Sequence, residues 1–285
     1  MKLLVTGATG QFGSIVVETL LQTVPVENLA VSVRNPEKAA HLKEKGIDVR
    51  HGDFDQPETL AEAFADIDRL LLVSTDGDNK TRIRQHQAAV EAAKQAGVSF
   101  IAYTSVAKAD ESTLPLAKVH RATEKAIQES GIAYALLRNN WYVENEAGTV
   151  QGVLRGAPWL NPTGDAKISW ALRSDYAQAA AVVLAGKGHE NTVYELAGTP
   201  RTQNELAAIA SSVLKKDVEV VNVDDAGFKE ALSGAGLPGF VVDMLVEMQE
   251  PIRQGSLNVE STDLEKLLGR KIQPLDVFVQ ALMNK

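Results

Sequence analysis

Three glycines, Gly7, Gly10 and Gly13, limit what this chain can fold into more than any other feature, because of what flanks them. The apolar run Leu3-Leu4-Val5 precedes them, and Ile15, Val16, Leu20 and Leu21 follow at helical spacing. The segment therefore predicts a strand, a glycine-rich turn and a helix. Such a turn asks for glycine three times: for the tight reversal, for close approach of backbone N–H groups to a ligand, and for close packing of helix on strand. The helix start adds partial positive charge, which suits the pyrophosphate of a dinucleotide.

Arg34 closes the next apolar run, Leu29-Ala30-Val31-Ser32-Val33, about twenty residues further on, where a fold of this kind meets the adenosine ribose. An acid there selects the 2′-hydroxyl of NAD, whereas a guanidinium grips a 2′-phosphate. No Asp or Glu lies between Leu29 and Glu37, so NADP(H) is the expected cofactor.

Strand-like and helix-like segments alternate beyond this point, which predicts parallel α/β architecture. Strands are expected over 2–6, 29–33, 48–51, 69–74, 99–105 and 134–138, with helices starting near Pro36, Pro57, Asn79 and Pro115. Leu70-Leu71-Leu72-Val73 and Phe100-Ile101-Ala102-Tyr103 are continuously apolar, the mark of central strands covered on both faces. Residues 139–171 lose this rhythm and hold all three tryptophans, so they are expected to form a long loop region over the site. A helix over 174–185 and a strand over 192–196 resume the pattern, followed by helices over 202–214, 228–232, 238–250 and 262–268 and a strand at 218–221. The expected fold is a Rossmann-like, doubly wound parallel sheet with a smaller, mainly helical C-terminal part. Residues 1–145 would form the dinucleotide-binding domain, rejoined by 171–200, and 146–285 the substrate-capping region.

Composition narrows the partners. With 285 residues and 45% apolar content the chain can bury a full core. A net charge of -8 disfavours a nucleic-acid partner, and the absence of cysteine excludes disulfides, thiolate zinc sites and a cysteine nucleophile. No apolar run approaches the ~20 residues of a membrane span, so a soluble, cytoplasmic protein is expected. His41, His51, His86, His120 and His189 are scattered without ligand spacing, and no metal site is expected.

In a doubly wound sheet the cleft lies at the C-terminal ends of the strands. Arg34, Asp53, Ser74, Thr75 and Ser105 are its candidates, together with the stretch Arg138-Asn139-Asn140-Trp141-Tyr142. Asp53 can accept a hydrogen bond from adenine or simply form a turn. Ser74 and Thr75 stand where the nicotinamide ribose would pass, or merely end a strand. None of the five tyrosines has lysine four residues later. The Tyr-x-x-x-Lys pair that assists alcohol oxidation is thus missing, which argues for an electron-poor acceptor that can gain its protons from water.

Taken together these segments resemble the NmrA-like, atypical branch of the short-chain dehydrogenases. The likeness is carried by Thr6-Gly7-Ala8-Thr9-Gly10-Gln11, Val33-Arg34-Asn35-Pro36, Phe100-Ile101-Ala102-Tyr103-Thr104-Ser105, Leu137-Arg138-Asn139-Asn140-Trp141-Tyr142-Val143-Glu144-Asn145 and Val193-Tyr194-Glu195-Leu196-Ala197-Gly198. Trp141-Tyr142 with Glu144-Asn145 is similar to quinone-reducing members rather than to those that reduce triarylmethane dyes. Asn140 replaces an expected glycine, and residues 75–79 diverge from the family pattern. The resemblance implies NADP(H) laid across Gly7, Ala8, Thr9, Gly10, Gln11 and Phe12, then Arg34, then Ser74, Thr75 and Asp76, then Arg138, Asn139, Asn140, Trp141, Tyr142 and Val143. It also implies direct two-electron hydride transfer to a quinone without flavin, with Ser105, Asn140 and Tyr142 as candidates for orienting that acceptor. A non-catalytic NADP-sensing regulator, or a reductase of a dye or enone, would fit the same residues.

Overall fold

The computed structural model describes residues 1–284. Its first part alternates strand and helix: β1 (Leu3–Thr6), α1 (Gln11–Leu20), β2 (Leu29–Val33), α2 (Ala40–Glu44), β3 (Asp48–His51), α3 (Glu58–Ala63), β4 (Arg69–Leu72), α4 (Asn79–Gln95), β5 (Phe100–Val106), α5 (Ala117–Ser130) and β6 (Ala133–Asn139). There follow α6 (Ala147–Leu154), β7 (Trp159–Asn161), α7 (Arg173–Ala185), β8 (Thr192–Leu196), α8 (Gln203–Leu214) and β9 (Val220–Asn222). The chain continues through α9 (Asp225–Gly234), α10 (Gly239–Glu247), α11 (Gln249–Arg253), α12 (Asp263–Leu268) and α13 (Asp276–Met283).

Seven strands form one sheet in the order β3-β2-β1-β4-β5-β6-β8. Every neighbouring pair is parallel, with Val5 opposite Val31 and Leu71, and Leu71 opposite Ala102. β4 and β5 are buried throughout, as continuous apolar runs demand when helices cover both faces. One face packs Val16 and Val17 of α1 against Ala177, Ala180 and Leu184 of α7. The other packs Leu60 and Phe64 against Ala89, Ala93 and Ile127. Local chemistry sets the boundaries: Asp78 caps α4 by accepting from the Thr81 N–H, and Thr202 and Glu205 form a reciprocal capping box on α8.

The region 139–171 departs from the loop expected of it. It contains α6 and the short strand β7, which pairs in parallel with β9 in a separate two-stranded sheet. Trp159 and Trp170 do not cover the cleft: both are fully buried in a second core with Met248, Ile252 and Phe278. A three-residue strand whose partner lies some sixty residues away leaves no periodicity to read, and a buried tryptophan looks the same in sequence as a wall residue. The helix expected over 238–250 is broken into α10 and α11 at Met248, and α13 is an element the sequence pattern does not announce.

The direction of the sheet reverses between β1 and β4. From β1 the chain steps outward to β2 and β3, then returns to β4 and steps the other way, which opens a crevice at the strand ends. Thr6 stitches that point together: its hydroxyl donates to the Leu71 carbonyl at 3.2 Å and accepts from the Val73 N–H at 2.9 Å.

Candidate active site

The crevice is a cleft of about 950 Å³ running across the C-terminal ends of β2, β1, β4, β5 and β6. Its centre is the glycine turn. Gly7 has φ of +62°, a conformation that a side chain would strain, and the Gly10 N–H closes the turn on the Gly7 carbonyl at 2.9 Å. A Cβ on Gly13 would overlap the Gly7 peptide, 2.8 Å from its carbonyl carbon, so the first turn of α1 can lie against the loop only without a side chain there. Gly10 caps α1 without any side-chain bond, leaving the free N–H groups of the helix start to the cleft. Thr9, Gln11 and Phe12 line the same stretch.

On the β2 side Arg34 is exposed at the rim. Asp53 also lines the cleft, but its carboxylate accepts from the Asp55 N–H at 3.0 Å and from the Gln56 amide at 3.1 Å, so it is engaged as a turn former. Beside it the Ser32 hydroxyl is buried without a partner, and Gly52 approaches so closely that a Cβ would collide with that hydroxyl. Arg84 pairs with Asp55 and holds its carboxyl below the usual range. A glycine cradle, an unspent buried hydroxyl and a rim guanidinium together fit a phosphorylated dinucleotide.

The floor beyond β4 is a hydrogen-bonded set. The Ser74 N–H donates to Thr104 Oγ1 at 2.8 Å, and Arg82 Nη2 donates to Ser74 Oγ at 2.8 Å. Thr75 gives its N–H to His86 Nε2 at 3.0 Å and its hydroxyl to Gln85 at 2.8 Å. With Nε2 accepting, the His86 proton sits on Nδ1, directed at Thr123 Oγ1 2.8 Å away. Burial, helped by the Arg82 charge, pulls the His86 pKa down to about 3. Asp76 lines the cleft beside these groups.

At the β5 and β6 end, Ser105 lines the cleft but donates its hydroxyl to Glu124 at 2.5 Å. It therefore offers an acceptor rather than a proton. Glu124 in turn binds Arg138 bidentately at 3.0 and 2.8 Å, and Arg138 also reaches Asp110 at 3.0 Å and Glu195 at 3.1 Å. Arg138 is thereby turned away: it does not line the cleft, and its guanidinium is spent on three carboxylates. The side chains of Ala8 and Val143 are buried in the cores behind the wall, which leaves only their backbone to face a ligand.

Asn139, Asn140, Trp141 and Tyr142 do form that wall. Asn139 donates to the Tyr142 hydroxyl at 3.0 Å, while its own Oδ1 is buried and unpaired. The Tyr142 ring stacks on Phe12 with centroids 6.2 Å apart, and the Arg173 guanidinium stands 5.2 Å from its centre. Burial pushes the Tyr142 phenol up to about 12, so it keeps its proton near neutrality and acts as a hydrogen-bond donor rather than a base. Asn140 is committed to structure: it donates to the Leu257 carbonyl at 3.2 Å and accepts from the Trp141 N–H at 2.7 Å.

Among the polar residues of the cleft that sequence reasoning left unmarked as site residues are Arg82, His120 and Arg173. A signal exists for the first two. Arg82, Gln85, His86 and Ala89 repeat at the spacing of one helix face, as do His120, Thr123, Glu124 and Ile127, so polar groups occupy a face that apolar neighbours show to be inward. Among the described residues no cluster of three or more His, Cys, Asp or Glu could hold a metal, and no helix is long and apolar enough to cross a membrane.

Comparison with known proteins agrees with this geometry. The model of the NmrA-like family matches residues 1–275. Quinone oxidoreductase 2 of Escherichia coli is 42% identical over 281 residues, covering 98% of either chain. The crystal structure of an NADPH-dependent quinone oxidoreductase from Escherichia coli, complexed with NADPH, superposes with a TM-score of 0.95 at 42% identity, covering 99% of this chain and 100% of that one. Triphenylmethane reductase of Citrobacter sp., complexed with NADP(H), gives 0.95 at 40% identity over 99% and 100%.

Proposed function

Since this chain belongs to the NmrA-like family, we propose that it is an NADPH-dependent quinone oxidoreductase. The observation that carries the reading is the cleft itself: a glycine cradle at a helix start with Arg34 at one end, and at the other an aromatic and amide wall with no acid–base pair for alcohol oxidation. In this reading Gly7, Thr9, Gly10, Gln11 and Phe12 hold the pyrophosphate, Arg34 the 2′-phosphate, and Ser74, Thr75 and Asp76 flank the nicotinamide ribose. Bound NADPH would supply a hydride to the acceptor directly, without flavin. Residues 1–145 with 171–200 form the cofactor-binding part, and the remainder from 146 caps the acceptor. A cytoplasmic setting accompanies this reading, because the reductant is supplied there.

The chain's own work is placement and exclusion of water. Phe12, Trp141 and Tyr142 present flat apolar faces suited to a quinone ring, and the Tyr142 hydroxyl offers it a hydrogen bond. Ser105 and Asn140, whose polar atoms are committed to Glu124 and Leu257, shape the pocket through those bonds. The purified protein should oxidise NADPH when a simple quinone is added, with a primary isotope effect from deuterium at nicotinamide C4 if hydride transfer limits turnover. A triarylmethane dye belongs in the same assay, given the likeness to a reductase of such dyes. Tight NADPH binding with no turnover on quinone or dye would overturn the reading in favour of a sensor.

A further inference from the structure

His120 is the one histidine whose ring both forms part of the cleft wall and has a nitrogen to spare. It is 5% exposed, and its Nδ1 lies 2.9 Å from the hydroxyl of the fully buried Tyr103. Its Nε2 makes no hydrogen bond with any described residue, and the ring lines the cleft beside Ser105 and Leu116, at the end where the nicotinamide of a dinucleotide lies in this fold.

The direction of the protons follows from the groups behind it. The Tyr103 hydroxyl is fully buried and makes no other hydrogen bond with a described residue, and burial pushes its phenol up to about 12, so it keeps its proton. A buried O–H left without an acceptor costs more than a spare lone pair, so Tyr103 gives its proton to His120 Nδ1. A neutral imidazole accepting at Nδ1 carries its hydrogen on Nε2.

We propose that His120 is a catalytic hydrogen-bond donor, its Nε2–H binding the acceptor oxygen on which negative charge collects during reduction. The proposal rests on the quinone reading above. When a hydride adds to a quinone, its electron pair ends on an oxygen and leaves a hydroquinone monoanion, which takes its remaining proton from water. An N–H aimed at that oxygen from a water-poor wall lowers the barrier because the bond strengthens as charge develops. Burial, with Arg82 and His86 nearby, keeps His120 well below its ordinary pKa, so it acts as a fixed neutral donor rather than as a proton source. Tyr103 is a positioning residue, acting through the tautomer it imposes.

His120→Leu, His120→Gln and Tyr103→Phe test this. His120→Leu should lower kcat on the order of hundredfold with NADPH affinity unchanged. His120→Gln, which restores an N–H at similar reach, should recover most of the loss, and Tyr103→Phe should cost roughly tenfold in kcat. A readout independent of turnover is para-nitrophenolate bound with NADP⁺: its visible band should shift to shorter wavelength in the parent and His120→Gln proteins, and not in His120→Leu. Unchanged kcat and an unchanged band in His120→Leu would overturn the proposal. A parent that shows the band shift but reduces no quinone would instead remove the quinone reading while leaving the donor in place.

Discussion

Arg34 is the residue at which cofactor choice is most directly exposed to test. It stands at the end of β2 on the rim of the cleft, where an acid would face a ribose hydroxyl. Arg34→Asp should weaken NADPH by about 1.5–3 kcal/mol, the worth of a hydrogen bond to a charged group, hence roughly ten- to hundredfold. NADH should be weakened far less, because it has no 2′-phosphate to lose. Titration by nicotinamide fluorescence reads both, and equal affinity of the parent for the two cofactors would remove the phosphate role from Arg34. This residue and Gly7, Gly10 and Gly13 were legible because their chemistry is local: a turn or a strand end declares its needs in neighbouring residues. His120 and Arg138 were not legible in that way. What each does depends on the side chain facing it, Tyr103 across from α5 in one case and Glu124 in the other, and helical spacing alone does not say which.

At the scale of elements, one imidazole joins three of them. His86 on α4 accepts from Thr75 after β4 and donates to Thr123 on α5, and packing between α4 and α5 leaves its ring fully buried. Its folded pKa of about 3 lies below the 6.5 of an unperturbed imidazole. As pH falls from 6.5 toward 3, the unfolded chain takes up a proton that the folded protein refuses, so stability drops by about 1.4 kcal/mol per pH unit from this group. Above that window both states are neutral and the contribution is flat. Denaturant unfolding across the acidic range should show the slope, and His86→Gln, which keeps an acceptor for Thr75, should lessen it by one proton. An identical pH dependence in the variant would mean that the ring is charged when folded. The parallel α/β architecture was readable from alternation, and the central place of β4 and β5 from their continuous apolar runs. The Thr75–His86–Thr123 link was not, since it forms only when the two helices lie side by side.

For the whole molecule, the question is how the part beyond β8 governs a cleft built on the first six strands. One of its links reaches the wall of the cleft directly. Asn140 in the wall holds the Leu257 carbonyl, Ser169 donates its N–H to the same carbonyl at 3.0 Å, and the Ser169 hydroxyl bonds Val259 through both its carbonyl and its N–H, at 2.8 and 3.0 Å. A strap of backbone at 255–259 thus fastens the second core, with Trp159 and Trp170, to the acceptor end of the cleft. Sequence pattern gave no sign of it, because a strap bonded through its backbone carries no side-chain signature, and Asn140 looked like a chemical group rather than a fastener. Asn140→Ala leaves the Trp141 N–H without its acceptor and removes one donor from Leu257, a loss of about 1–3 kcal/mol in stability. The dinucleotide cradle lies on β1, β2 and β4 and should be untouched, so NADPH affinity should hold while the KM for quinone rises and amide exchange at 255–259 quickens. A fall in NADPH affinity as large as the rise in quinone KM would show instead that the strap supports the cofactor, and that the two parts of the molecule bind their ligands as one.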